Sequence, residues 1–172
     1  ERSESLGTTS SSLKLTELNE FEHSTFRTPE LYFGYKFASG RSQIGNENGF
    51  KPEMIVDYKI PEETRQNYFY LDGKWKNEKD SMNLISENGV ISLKYDAKQV
   101  NIVASNNSEL EIFVDGNSIP KYMTGSDLTI ESKIFVSEPR LYNIINSDDT
   151  EPHELIIKIN GSGFEIFTFT FG

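Results

Sequence analysis

The single tryptophan of the chain, Trp75, lies in the sequence "LDGKW" (residues 71–75), just after an Asp-Gly pair and one lysine, and close to further charged residues. An exposed indole ring can stack on the apolar face of a sugar while neighbouring Asp and Lys side chains bind its hydroxyl groups. The alternative is that Trp75 packs in the core, because tryptophan is strongly buried on average. We favour packing, and we keep Trp75 as a candidate ligand-binding residue.

Arg140 and Tyr142 are further candidates, in the sequence "SEPRLYNII" (137–145). A guanidinium group beside aromatic rings can stack on a ring or bind a carboxylate of a ligand. It can equally form an ion pair with Glu138, and an exposed ion pair says little about function. Both interpretations of Arg140 remain open.

Tyr35 is the last candidate contact, in the sequence "TPELYFGY" (28–35). We expect Tyr32 and Gly34 to pack the first strand against the rest of the domain. Tyr35 lies on the opposite strand parity, and tyrosine is enriched at recognition surfaces. Tyr35 is therefore predicted to face outward and contact a ligand.

An acidic loop, "NSDDTEPHE" (146–154), carries carboxylates that could bind calcium through oxygen: Asp148, Asp149 and Glu151. The spacing matches no EF-hand, and charged loops between strands are usually just solvated. We therefore predict no metal and no cofactor, with these three residues as weak calcium candidates.

The other residue types exclude several function classes. The chain has no cysteine, and no Ser-His-Asp context, nucleophile elbow or phosphate-binding loop is present, so we expect no enzymatic activity in this chain. The two histidines, His23 and His153, lie far apart in polar contexts.

A net charge of −10 argues against nucleic acid as a partner. No apolar run approaches the roughly 18 residues of a membrane span, so we expect no membrane insertion by this segment.

The elements that must position these residues are short strands. Apolar residues alternate with polar ones at three places: Ile91, Leu93, Tyr95 and Ala97; Leu110, Ile112 and Val114; Leu155, Ile157 and Ile159. Period 2 with one polar face is typical of half-buried antiparallel strands. About ten such strands favour two packed antiparallel sheets, an all-β sandwich.

Other segments give more specific expectations. The dipeptides Asn88-Gly89, Asp115-Gly116 and Asn160-Gly161 predict tight turns. The closing sequence "FEIFTFTFG" (164–172) predicts a central strand with Phe167, Phe169 and Phe171 on one face. The sequence "PEETRQN" (61–67) is the sole helical candidate, because Pro61 suits a first helical position. Residues 1–27, rich in Ser and Thr in their first half, are predicted to be a linker or N-terminal extension before a domain at 28–172, with a short strand or a helical turn both possible over 13–26.

Six stretches together resemble a known family: "TPELYFGY" (28–35), "FYLDGKW" (69–75), "ISLKYDAKQVNIV" (91–103), "LEIFVDG" (110–116), "EPRLYNII" (138–145) and "GFEIFTFTFG" (163–172). Their order is similar to that of the C-terminal domain that follows the thioredoxin-like domain in DipZ-type proteins and related redoxins. The motif "L-x-G-x-W" belongs to the part that defines the fold, which favours packing for Trp75.

The resemblance implies a jelly-roll, galactose-binding-like β-sandwich similar to carbohydrate-binding modules, with at most one or two short helical turns. It also implies an extracytoplasmic protein, periplasmic, secreted or at the cell surface, in which the catalytic cysteines belong to the preceding domain. The expected function is a non-catalytic binding module for a carbohydrate or another cell-envelope partner. The alternative is a structural domain that packs on the thioredoxin-like domain or mediates oligomerisation without a small ligand.

Overall fold

A computed structural model of the chain describes residues 27–148 and 151–172. These residues form short strands and two 3-10 helical turns, Tyr35–Phe37 and Lys121–Met123, and contain no α-helix. The strands are β1 (Leu31–Tyr32), β2 (Ile55–Tyr58), β3 (Phe69–Asn77), β4 (Met82–Leu84), β5 (Asn88–Tyr95), β6 (Gln99–Ser105), β7 (Ser108–Val114), β8 (Asn117–Ser118), β9 (Lys133–Val136), β10 (Arg140–Asn146), β11 (His153–Asn160) and β12 (Glu165–Phe171). The all-β prediction is confirmed.

The strands pair antiparallel and form two sheets. The first sheet has the order β10-β6-β12-β4-β3, with β1 beside β12 and β2 beside β3. The second has the order β3-β5-β11-β7, and β8 and β9 both pair with the outer edge of β7. Strand β3 belongs to both sheets, because Phe69–Asp72 pair with β5 and the residues from Gly73 onward pair with β2 and β4. The predicted two-sheet β-sandwich is confirmed.

Gly73 makes the passage of β3 between the sheets possible. Its φ of 108° lies in a region that side chains with a Cβ rarely adopt. The strand can therefore change direction there, two residues before Trp75, and contribute to both layers.

The core lies between the two sheets. The apolar residues of the three alternating segments that lie in β5, β7 and β11 point into it, and each exposes 4% or less of its surface. Ala97 lies after the end of β5 and packs against the core while only partly buried. They join the residues of the first sheet in one hydrophobic cluster, including Trp75, Tyr142, Phe164 and Phe169. The period-2 pattern therefore predicted the inward face of β5, β7 and β11 correctly.

One of the predicted turns is wrong. Asp115 and Gly116 have positive φ angles of 52° and 83° and connect β7 to β8, as expected. Asn88 and Gly89, in contrast, begin β5 and pair with β11. A Cβ at Gly89 would lie 2.7 Å from Leu84 Cδ1 and 3.0 Å from Trp75 Cζ2, so this glycine gives the core room to pack.

The predicted face of the last strand is also wrong. The register of β12 against β6 shifts between Ile166 and Thr168, which is a β-bulge at Phe167. Ile166 and Phe169 are both fully buried, while Phe167 is half-exposed. The extra residue reverses the parity after Ile166, so the three phenylalanines do not share one face.

The helix predicted over 61–67 does not form. Gln66 makes an isolated bridge with Lys94, Lys94 Nζ donates to the Thr64 carbonyl oxygen at 3.1 Å, and Asn67 has a φ of 68°. Two turns have too few hydrogen bonds to be stable alone, and this segment has no apolar face to bury. No helix of the described residues is long and apolar enough to cross a bilayer. The linker predicted for residues 1–27 lies outside the described residues except for Arg27.

The segment before β2 is fixed beside β3. Phe69 N donates to the Gln43 carbonyl oxygen at 3.1 Å, and Gly45 N donates to that of Phe69 at 2.8 Å. The buried amide of Asn46 extends this contact, because its Oδ1 accepts from Leu71 N at 2.8 Å and its Nδ2 donates to Leu71 O at 2.9 Å. Residues 41–46 thus continue the sheet past the edge of β3 and hold the preceding side chains in place.

Candidate functional site

Trp75 is part of the core. Its side chain is fully buried, and Nε1 donates to the Asp72 carbonyl oxygen at 2.9 Å. The ring of Phe164 meets it edge to face, with 6.3 Å between centroids. Trp75 therefore presents no face to a ligand, and the packing interpretation is the correct one.

Tyr35 lies at the surface in the first 3-10 turn. Its hydroxyl group donates to Glu53 Oε1 at 2.7 Å. This hydrogen bond, together with burial and the neighbouring acidic charges, raises the pKa of Tyr35. The ring is half-exposed and stays a candidate contact.

Arg140 forms ion pairs within the domain. Its Nη2 lies 3.0 Å from Asp127 Oδ1 and its Nε lies 3.6 Å from Glu138 Oε1. The guanidinium group lies over the ring of Tyr142, 3.8 Å from the centroid. Tyr142 is buried and donates its hydroxyl hydrogen to the Glu138 carbonyl oxygen at 2.7 Å, so it offers no surface to a ligand.

Asp127 is the residue that neutralises the charge of Arg140. Burial alone would raise the pKa of this carboxyl group. The hydrogen bond from Arg140, the backbone N–H of Asn143 and the Arg140 charge outweigh burial and lower the pKa of Asp127 below its ordinary value. The carboxylate thus stays ionised and neutralises the arginine.

The four candidate residues do not form one concavity. Tyr35 N donates to the carbonyl oxygen of Glu78, directly after β3. Arg140 begins β10, which lies four strands away in the same sheet. At about 4.8 Å per strand, the two sites are about 19 Å apart along the sheet.

The acidic loop shows no metal site in its described part. Asp148 and Glu151 are exposed, and Asp149 lies outside the described residues. No group of three His, Asp or Glu side chains with the geometry of a metal site occurs in residues 27–148 and 151–172.

A groove not anticipated from the sequence lies between β1 and the segment that precedes β3. Two open clefts of about 560 and 390 Å³ adjoin there and share Pro29, Ser42 and Gln43. Tyr32 lines one cleft and Tyr68 the other. We call this surface the Tyr32–Tyr68 groove. Its remaining lining residues are Arg27, Glu30, Gly40, Arg41, Gln66 and Asn67.

Gln43 fixes the middle of the groove. Its side-chain Oε1 accepts from Tyr32 N at 3.0 Å, and its Nε2 donates to the Glu30 carbonyl oxygen at 2.8 Å. The amide therefore pairs with β1 as a neighbouring strand would. Since the backbone of Gln43 is also bonded to Phe69, the groove is built on rigid elements.

An arginine lies over the tyrosine that lines each of the two clefts, and Arg41 also lines the first cleft itself. Arg41 Cζ lies 5.2 Å from the ring centroid of Tyr32, and Arg65 Cζ lies 4.0 Å from that of Tyr68. Phe37 stacks on Tyr32 with 4.3 Å between centroids, so Arg41 covers the opposite face. The tyrosines support guanidinium groups and leave little open ring for stacking on a sugar.

Glu30 contributes the acidic group of the groove. Its Oε2 accepts from the Tyr32 hydroxyl group at 2.6 Å. This hydrogen bond, followed by burial and the charge of Glu30, raises the pKa of Tyr32, while Arg41 opposes the shift. The Tyr32 hydroxyl group is thus protonated and oriented at neutral pH.

The profile of the family described as "Thioredoxin like C-terminal domain" matches residues 28–172. The chain belongs to this family. The domain expected from the six sequence stretches is thereby confirmed. A search of curated proteins gave no match.

Solved structures resemble this thioredoxin-like C-terminal domain only distantly. A family two carbohydrate esterase from Clostridium thermocellum in complex with cellohexaose has 12% identity and a TM-score of 0.49. The match covers 60% of this chain and 31% of the esterase, so the chain spans less than a third of that protein. A family 6 carbohydrate-binding module has 13% identity and a TM-score of 0.37, with 72% of this chain and 96% of that chain covered. Neither likeness identifies a ligand for this domain.

The groove of the thioredoxin-like C-terminal domain was missed because its residues come from unpatterned segments. Tyr32 was expected to pack the first strand, but it is half-exposed and lines a cleft. Gly34 does pack as expected, since a Cβ there would lie 2.3 Å from the Lys79 carbonyl oxygen. The one available signal was the sequence "RQNY" (65–68), which places Arg65 three residues before Tyr68.

Proposed function

We propose that this chain is a non-catalytic binding module of an exported thioredoxin-like protein, and that the Tyr32–Tyr68 groove holds a carbohydrate or another cell-envelope polymer. The observation that carries the proposal is the groove itself, an open surface in which the side chains of Tyr32, Gln43 and Asn67 are held by internal hydrogen bonds. Family membership supports the position of the module behind a thioredoxin-like domain. The chain has no cysteine, so thiol–disulfide exchange belongs to another part of such a protein.

The lining of the groove suits a ligand rich in hydroxyl groups. Ser42, Gln43 and Asn67 supply hydroxyl and amide groups along its floor. Ligand sites combine a shaped surface with a few polar groups that fix orientation. Because Gln43 is bonded to two elements of the sandwich, binding requires little ordering of the protein. The module would hold the polymer so that the redox domain acts close to the cell envelope.

The extracytoplasmic setting is part of the proposal and depends on the resemblance to DipZ-type proteins. Neither a cofactor nor a metal ion is needed for binding of this kind. The module acts by position, since it brings a separate catalytic domain to its clients.

A glycan array followed by calorimetric titration of the bound sugars tests the proposal. We expect binding that weakens about tenfold in Tyr68→Ala, because this variant removes a wall of the groove and the support of Arg65. The matched control is Tyr122→Ala, since Tyr122 is 72% exposed in the second 3-10 turn, outside the groove. A folded domain that binds no glycan would refute the carbohydrate function.

A second candidate function is packing against the neighbouring thioredoxin-like domain. Ile130 and Phe135 are 103% and 63% exposed, at or next to the edge strand β9. Exposed apolar groups of this kind occur at protein interfaces. Phe135→Lys should then weaken association with the added redox domain. A chain that stays monomeric by light scattering, without affinity for that domain, would count against this candidate.

A further inference from the structure

The distribution of arginines in this acidic protein is uneven. The net charge is −10, yet two of the four arginines in the described residues, Arg27 and Arg41, line the Tyr32–Tyr68 groove. A third, Arg65, lies over the ring of Tyr68, which lines the second cleft. Among the described residues, Glu30 is the only carboxylate that lines either cleft. The described lining of the groove thus carries more positive than negative charge, on a molecule whose net charge is negative.

These three guanidinium groups form no ion pairs with carboxylates of the described part of the chain. The fourth, Arg140, is a natural comparison, because it is also stacked on a tyrosine. Arg140 is neutralised by Asp127 at 3.0 Å and by Glu138 at 3.6 Å. Arg41 and Arg65 also lie over a tyrosine ring but have no acidic partner among the described residues, which leaves their charge available to a ligand.

We propose that the groove selects an oligosaccharide that carries carboxylates, of the uronic acid class; this rests on the proposed function. A guanidinium group stacked on a ring keeps its in-plane N–H donors at the edge, where they bind a carboxylate in bidentate geometry. The tyrosine ring also fixes the orientation of the side chain before the ligand arrives. Arg41 and Arg65 each bind one carboxylate, and the floor between them binds hydroxyl groups.

An acidic sugar fits the groove better than an acidic peptide. Extended peptides commonly bind by adding a strand to a free sheet edge. At β1 this edge is closed, because the Gln43 side chain already accepts from Tyr32 N and donates to the Glu30 carbonyl oxygen. The remaining contacts come from side chains, which suits a ligand that has no peptide backbone to pair.

Calorimetric titration of the full chain with hexagalacturonate and with its methyl ester tests the selection. The ester keeps the sugar chain and removes the charge. We expect the acid to bind and the ester to bind at least tenfold more weakly. Raising the salt concentration from about 0.05 M to about 0.5 M should weaken the binding of hexagalacturonate, because salt screens its charge. Arg41→Gln and Arg65→Gln should each lower the affinity for hexagalacturonate about tenfold, while Arg140→Gln should leave it unchanged. Thermal melting confirms that each variant is folded.

The outcomes separate this inference from the proposed function. Equal binding of the acid and the ester would overturn the selection for carboxylates and leave a groove that binds neutral sugar. Absence of binding to hexagalacturonate by the folded chain would overturn the inference, whereas failure of the whole glycan array would also refute the proposed function. If the chain bound a glutamate-rich peptide and not hexagalacturonate, and if Arg41→Gln and Arg65→Gln weakened the binding of that peptide, the choice of a saccharide would be overturned.

Discussion

The substitution Trp75→Ala should destabilise the domain strongly. A buried tryptophan removes about 150–250 Å² from water, which at about 25 cal/mol per Å² corresponds to about 4–6 kcal/mol. Alanine retains a small part of this, and truncations of buried aromatic residues typically cost about 3–5 kcal/mol. The Asp72 carbonyl oxygen also loses the hydrogen bond from Nε1, and the contact with Phe164 disappears. We therefore expect a loss of about 3–5 kcal/mol in the free energy of unfolding.

Urea denaturation followed by circular dichroism measures this loss, since both variants and wild type can be compared without tryptophan fluorescence. The control is Tyr122→Ala at a residue that is 72% exposed, for which a change within about 0.5 kcal/mol is expected. A loss below about 1 kcal/mol for Trp75→Ala would refute the packing role. The packing role would also be refuted if iodide quenched the tryptophan fluorescence of the wild-type chain as efficiently as it quenches that of free indole.

Three further changes have definite expected results. Gly34→Ala should cost about 1–3 kcal/mol in a denaturant titration, because the new Cβ would lie 2.3 Å from a backbone oxygen after β3; no change would contradict the close contact. Arg140→Gln should raise the pKa of Asp127, measured by carboxyl ¹³C NMR. Since that pKa is lowered in the folded state, the ion pair stabilises the fold at about pH 7, and this stabilisation disappears as the pH falls through the pKa of Asp127. If the substitution changed the free energy of unfolding equally at about pH 7 and about pH 2, that result would contradict the ion pair. Glu30→Gln should lower the pKa of Tyr32, read from its ring ¹³C shift in an alkaline titration. Because the raised pKa keeps the proton on Tyr32 in the folded chain, the hydrogen bond to Glu30 stabilises the fold below about pH 10, and this stabilisation is lost as the pH rises further. An unchanged pKa of Tyr32 in the variant would argue against the Glu30 hydrogen bond.

The strands of the sandwich could be predicted from sequence because burial of one face imposes a period of two residues. The inward residues of β5, β7 and β11 were assigned correctly, although Ser92 on the opposite face of β5 is buried as well. β12 departs from this period at Phe167, where a bulge inserts one residue and shifts the parity. Gly89 was taken for a turn residue because its dipeptide suits one, but the tight packing against Leu84 and Trp75 decides its place.

The groove could not be predicted in the same way, because it depends on contacts between distant segments. Arg41 reaches Tyr32 only after Gln43 and Asn46 attach their segment to β1 and β3. These residues lie in a Gly- and Asn-rich stretch with no periodic pattern. A single sequence also gives no indication of which arginines are neutralised, since Arg140 and Arg65 both occur close to a tyrosine. The ion pair with Asp127, 13 residues away, distinguishes them.

The most direct test of a carbohydrate site in the Tyr32–Tyr68 groove is a two-dimensional ¹H–¹⁵N NMR titration of the full chain with hexagalacturonate. We predict that the largest shift changes lie in the backbone signals of Tyr32, Arg41, Gln43 and Tyr68, and that the indole N–H signal of Trp75 stays unchanged. Shift changes centred on Arg140 or Tyr35, or no changes at any residue of the folded chain, would contradict the proposal.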